Sequence, residues 1–203
     1  MDGPDFLDVA YNGDKIEFSA KNNLITKFKK DLTEGKVYRI SHFAVATNSG
    51  FFMASNNEFN INFVERTKVV LEEASLIPMS IFTIKNSEEI RSIGGDYNYL
   101  IDMIGLVTNV SKEKQYSKGG YVTRMIELEL TDDRGKNQCA LFGNYVDVVK
   151  GFLSSDGYRM TVVIVQFVKI KTFMGDVVIQ NVMNATNVIS NSDTEETASF
   201  RDG

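Results

Sequence analysis

The sequence predicts an all-β fold with minor α, organised as two related copies of one motif, the first of them incomplete. Three observations carry this. Gly13 precedes Gly35 by 22 positions, and Gly135 precedes Gly157 by the same 22. Each first glycine ends a polar turn (Tyr11-Asn12-Gly13-Asp14 and Asp132-Asp133-Arg134-Gly135) that feeds a strand-like run. Each second glycine opens another, Lys36-Val37-Tyr38-Arg39-Ile40 or Tyr158-Arg159-Met160-Thr161-Val162-Val163. Between them lie amphipathic, helix-like stretches at Leu24 to Phe28 and Tyr145 to Val149. A strand, turn, strand, helix, strand order that occurs twice indicates a duplicated domain.

The second copy, residues 97–187, is the complete one. Its first strand is the long β-branched run Leu100 to Val110, interrupted by Gly105, and a glycine inside a strand marks a bend or bulge such as a barrel corner. A polar, lysine-bearing loop follows from Ser111 to the Gly119-Gly120 turn. Arg124-Met125-Ile126-Glu127-Leu128-Glu129-Leu130 then alternates at period two, as a strand with one wet face does. After the Asp-Arg-Gly turn, Asn137 to Phe142 forms a third strand and Gly143 and Gly151 flank the helix. Arg159 to Ile170 is a fourth strand, Lys171-Thr172-Phe173-Met174-Gly175 a turn, and Val177 to Val182 the last strand.

Composition narrows the functions. With 203 residues, 43% hydrophobic and 24% charged, the chain is long enough for two small cores. Its one cysteine, Cys139, reads as a small buried apolar residue, and one Cys with one His (His42, in a loop) cannot make a His/Cys zinc site. No apolar run is long enough for a membrane span and no signal-peptide order opens the chain, so a soluble, intracellular protein is expected. No phosphate-cradling glycine loop, nucleophile elbow or metal-ligand cluster is present, so neither an enzyme nor a cofactor is expected. Glu127 and Glu129 alternate with apolar neighbours as a wet strand face should. The net charge of −5 argues only mildly against nucleic acid, because a local basic groove is what counts. Lys112, Lys114, Lys118 and Arg124 form one cluster, and Lys169 and Lys171 another.

Five strands with a helix between the third and fourth is the order of an OB-fold barrel. At Tyr99-Leu100-Ile101-Asp102-Met103-Ile104-Gly105, Leu141-Phe142-Gly143 and Phe173-Met174-Gly175 the chain resembles the DNA-binding barrels of the large subunit of replication protein A, the plant forms most of all. Gly35 to Phe43 and Asn60 to Val69 are similar to the first barrel of that tandem. The resemblance implies two tandem OB-folds that bind single-stranded DNA without sequence preference, in replication, repair or recombination in the nucleus. It also implies other replication protein A subunits as partners; single-stranded RNA stays open as a ligand. Stacking aromatics would be Phe142 at the end of strand three and Phe173 on the loop between strands four and five, with the two basic clusters along the flanking loops. In the first copy the loop aromatic would be Phe52, with Phe51 beside it. The strand-end position there falls near Lys21, and Glu17 and Ala46 stand where basic residues are expected.

The second copy spends 36 positions between Tyr99 and Gly135, whereas the first has 12 residues before Gly13. The first copy is therefore expected to lack its first strand, the following loop and part of strand two, with Phe6 to Val9 as a stub. An open barrel edge invites pairing, so a protein-interaction adaptor is the alternative function. The expected organisation is a truncated OB-fold over 1–71 and an interdomain linker over 72–96 with a short Asn-capped helix. A complete OB-fold over 97–187 and a disordered acidic, polar tail over 188–203 follow.

Overall fold

A computed structural model describes residues 7–11, 14–73, 82–94, 97–156 and 161–202. Gly13, Gly157, Phe6 and the linker residues Ile77, Met79 and Ile81 lie outside them. The chain divides into two compact units, Met1–Phe82 and Thr83–Gly203.

The first unit runs β1 (Leu7–Tyr11), β2 (Asp14–Ala20), α1 (Asn22–Asp31), β3 (Val37–Ser41), β4 (Ala44–Thr47), β5 (Phe59–Phe63) and β6 (Lys68–Glu72). One sheet has the order β1-β2-β5-β4, with β2 and β5 parallel; β3 pairs with β6 in a second sheet. Helix α1 turns Leu24 and Phe28, one turn apart, onto Phe18, Ile61 and Phe63. The Phe63 ring meets Phe18 at 5.3 Å and Phe28 at 4.7 Å, both edge-on.

The second unit begins with α2 (Ser87–Ile93), whose start is a reciprocal capping box. The Asn86 side chain accepts the Glu89 N–H at 2.9 Å, and the Glu89 carboxylate accepts the Asn86 N–H at 3.0 Å. This helix falls in the segment read as a linker, yet its Ile90 is fully buried in the second unit's core. Ser87 donates its N–H to Asp132 at 2.7 Å. The reason is amphipathicity: Ile90 and Ile93, three positions apart, lie on one side of the helix against that core.

Five strands follow with the helix α3 (Tyr145–Asp156): β7 (Ile101–Val110), β9 (Tyr121–Asp132), β10 (Gly135–Phe142), β11 (Val162–Phe173) and β12 (Asp176–Asn181). β7 pairs with β9, β9 with β10, β10 with β12 in parallel, β12 with β11, and β11 back with β7. That circuit closes an OB-fold barrel. Its core is read in rows: Ile170, Ile179, Cys139 and Leu128 are register partners on four successive strands, and all are fully buried. Burial pushes the Cys139 thiol up to about 12. At Gly105, a Cβ would stand 2.9 Å from the Leu130 Cβ, so the corner closes only with glycine.

Three features differ from the sequence expectation. The Ser111–Gly120 loop contains β8 (Lys114–Lys118), which pairs with the start of β9 as a hairpin arm. The turn after strand four is shorter than read, because β11 extends to Phe173 and leaves Met174 and Gly175 to turn. The tail is ordered: β13 (Asn187–Ser190) adds to β11, and α4 (Glu195–Asp202) follows with Thr197 buried. Composition understates a segment whose Val188 and Ile189 find a sheet edge opposite Val165 and Ile164.

One device occurs in both units. Strand four is interrupted by a left-handed residue, His42 (φ 61) or Phe167 (φ 54). Its carbonyl accepts a threonine hydroxyl, from Thr67 at 3.1 Å and from Thr186 at 2.8 Å. The same hydroxyl accepts a backbone N–H, from Val64 or Val182, at 2.8 Å in each case.

Candidate functional site

In the second barrel the register that buries one set of residues turns the alternate set outward. Lys169, Gln180, Ala140 and Glu127 form one outer row, and Lys171, Val178, Gln138 and Glu129 the next. Phe142 continues the β10 column and Phe173 the β11 column, so both aromatics and both lysines of the second basic cluster share one face of β9-β10-β12-β11. Phe173 is 60% exposed and Met174 beside it 90%. Phe142 is half-buried, because the Tyr116 ring of β8 packs against it edge-on at 5.2 Å.

The first basic cluster is divided. Lys114 pairs with Met125, next along β9 from Arg124, and its ammonium lies 2.6 Å from Glu127. Lys112 is exposed; Lys118 ends β8, and its side chain lies outside the described part. Arg124 has the parity of the inward residues Ile126, Leu128 and Leu130. At the barrel end its guanidinium is held by Glu113 at 2.8 Å and by both oxygens of Asp147 on α3, at 2.6 and 3.0 Å. Asp147 and Glu113 raise its pKa, while the Arg124 bond holds the Asp147 carboxyl below the usual carboxylate range. Lys150 also pairs with Glu113. Arg124 therefore fastens the arm root to α3 and is not presented on the outer face.

Three residues of this region escaped the sequence reading. Lys136 is two strand positions before Gln138 and four before Ala140, so period two already placed it on the Phe142 face; its ammonium lies 2.8 Å from Glu129. Tyr116 and Tyr121 sit on the hairpin arm, Tyr121 at 83% exposure, and neither has a local signal once the segment is taken as a loop.

The first unit presents the corresponding face differently. Phe18 pairs with Ile61 as Cys139 pairs with Ile179, so Glu17 takes the place of Gln138, and Lys21 that of Phe142. Lys21 is the N-cap of α1. The loop after β4 folds over this face: Ser55 donates to the Lys15 carbonyl at 2.7 Å, and the Ala54 N–H to Glu17 at 3.2 Å. Glu17 is thereby buried, and desolvation raises its carboxyl above the usual range. Asn48 braces the loop through the Ser55 and Asn57 carbonyls, both at 3.1 Å. Phe52 is half-buried with φ 62, whereas Phe51 is 80% exposed.

Among the described residues no group of three or more His, Cys, Asp and Glu could hold a metal ion, and no helix is long and apolar enough to cross a membrane.

The architecture defines a protein of tandem OB-fold class. Residues 6–92 match a family described as a domain of unknown function, DUF223. No curated protein matches the chain. Among solved structures it is similar to a chain from a replication protein A heterotrimer bound to ssDNA, at 18% identity and a TM-score of 0.61, over 98% of this chain and 49% of that one. The chain thus spans about half the length of that relative. It also matches the second OB-fold domain of replication protein A from Methanococcus maripaludis, at 14% identity and a TM-score of 0.40, over 55% of this chain and 97% of the other. A murine DNA-binding protein bound with ds DNA matches at 11% identity and a TM-score of 0.48, over 91% of this chain and 84% of that one. At 18% identity the likeness to the heterotrimer chain establishes the OB-fold architecture.

Proposed function

We propose that this chain binds single-stranded DNA without sequence preference, with the second barrel as the principal binder. The observation that carries the reading is the single outer face on which Phe142 and Phe173 flank Lys169 and Lys171. Flat rings stack on any base, and cations along the same face meet the backbone. The similar heterotrimer chain, described as bound to ssDNA, supports the reading at the level of fold. We place the activity in replication, repair or recombination in the nucleus, with other replication protein A subunits as partners.

Fluorescence anisotropy with labelled oligo-dT tests this. The chain should bind at low salt, and Phe142→Ala with Phe173→Ala should weaken binding by about 30-fold or more, since stacking contributes ~1–3 kcal/mol per base. Retained affinity in that double variant would refute the site, and absence of binding by the unaltered chain would refute the function. An oligo-U titration alongside sets the preference for DNA over RNA.

One observation favours a second reading, a protein-interaction adaptor. Among the described residues β3 pairs only with β6, and Val70 and Leu71 on β6 are exposed. An extended segment of another protein adding to β3 would be β-augmentation. Pull-down of a partner that survives nuclease treatment and is lost when β3 is altered would favour it.

A further inference from the structure

Two carboxylates stand along the β9 side of the face assigned above to nucleic acid. Glu127 and Glu129 lie on β9, in the rows that end at Lys169 and Lys171. Lys114 on β8 reaches Glu127 at 2.6 Å, and Lys136 on β10 reaches Glu129 at 2.8 Å. The Thr108 hydroxyl donates to the same Glu129 oxygen at 2.6 Å. The bonds from Lys136 and Thr108 hold the Glu129 carboxyl below the usual range. Both lysine side chains are more than half exposed, at 53% and 59%. A phosphate could reach them, but each ammonium already faces an anion. Such exposed pairs contribute little to stability, so a polyanion can exchange with them. Each exchange, however, leaves a released carboxylate beside the incoming phosphate.

We propose that Glu127 and Glu129 are an intramolecular brake on backbone binding: they occupy Lys114 and Lys136 and repel phosphate, so the face holds bases by stacking and the backbone only weakly. The inference rests on the single-strand reading and deepens it. It makes Glu127 and Glu129 determinants of affinity and of salt response. The unaltered chain should therefore have a shallow salt dependence for its number of lysines.

The test compares the full chain with Glu127→Gln/Glu129→Gln by oligo-dT anisotropy across a salt series. Glutamine keeps an acceptor oxygen for Thr108 and the lysines and removes the charge. The variant should bind roughly tenfold tighter at low salt. Its slope of log K against log salt should steepen by about 1.4, two phosphates at about 0.7 each. Glu195→Gln/Glu196→Gln on α4 removes the same charge outside this face and should leave the slope unchanged. A matching rise in that control, or unchanged or weaker binding by the Glu127/Glu129 variant while the unaltered chain binds, would overturn the brake alone. Failure of every protein to bind would overturn the single-strand reading with it. Melting by circular dichroism reports folding. Should the double variant lose its fold, Glu127→Gln alone should show about half the change in slope.

Discussion

Strand four is built twice in this chain, and the two versions differ in how well they are covered. β3 and the first half of β11 each pair on one side with a later strand, β6 or β13, and each precedes a left-handed residue. Tyr38 and Ile40 are half-buried, whereas Val163 and Val165 at the same distances from that residue are fully buried. The difference is β7. Val163 pairs with Gly105 and Val165 with Met103 on the opposite edge, where β3 has no partner among the described residues. The same local pattern thus reaches different burial because burial depends on a strand remote in sequence. The first core leans instead on three edge-packed phenylalanines.

The sharpest way to break this comparison is at Asp102. Its buried carboxylate accepts the Thr83 N–H at 2.7 Å and the Phe167 N–H at 3.0 Å, tying β7 to the interruption of β11. Asp102→Ala removes two hydrogen bonds from part-buried N–H groups to a charged acceptor and should cost about 3 kcal/mol. Urea unfolding followed by circular dichroism should show the second unit's transition move to lower urea while the first stays. An unmoved second transition would mean that closure by β7 is not what separates the units. The threonine device gives a smaller, symmetrical effect: Thr67→Val and Thr186→Val should each cost about 1–2 kcal/mol, because each takes the hydroxyl partner from a part-buried N–H and a part-buried carbonyl. A cost in only one unit would undo the claim that the motif is duplicated in detail.

The smallest effect concerns the covered face of the first unit. Burial raises the Glu17 carboxyl, so the folded chain holds that proton more tightly than the unfolded one. Ionised Glu17 therefore costs stability above its raised pKa, and the cost vanishes as pH falls below the ordinary Glu range. Glu17→Gln should raise the first unit's melting temperature by a few degrees at neutral pH and by nothing in acid. A variant less stable at neutral pH would show that the charged form is needed by the Ala54 N–H.

Much of the fold was legible in the sequence. Alternation over Arg124 to Leu130, the Asn86 cap, the turn before Gly135 and the Gly105 corner are local signals, set by period, capping chemistry and steric room. The OB-fold order followed from them. The site was legible less evenly. Phe142 and Phe173 are candidates that the family resemblance supplies, whereas Arg124 cannot be separated from Lys114 without the tertiary placement of Glu113 and Asp147. The tail over 188–203 reads as disordered because its polar and acidic residues outweigh Val188 and Ile189, which pair with Val165 and Ile164 on β11.

What the sequence determined by itself is the repeated motif, the phase of its buried rows and the residues able to stack or carry charge. Those depend on neighbours within a few positions. Closure by β7, the loop folded over Glu17, the capture of Arg124 by Glu113 and Asp147, and the pairing of Lys114 and Lys136 with the β9 carboxylates were decided only by tertiary structure. Each joins groups distant along the chain, and a charge's availability depends on which opposite charge the fold brings within hydrogen-bond reach.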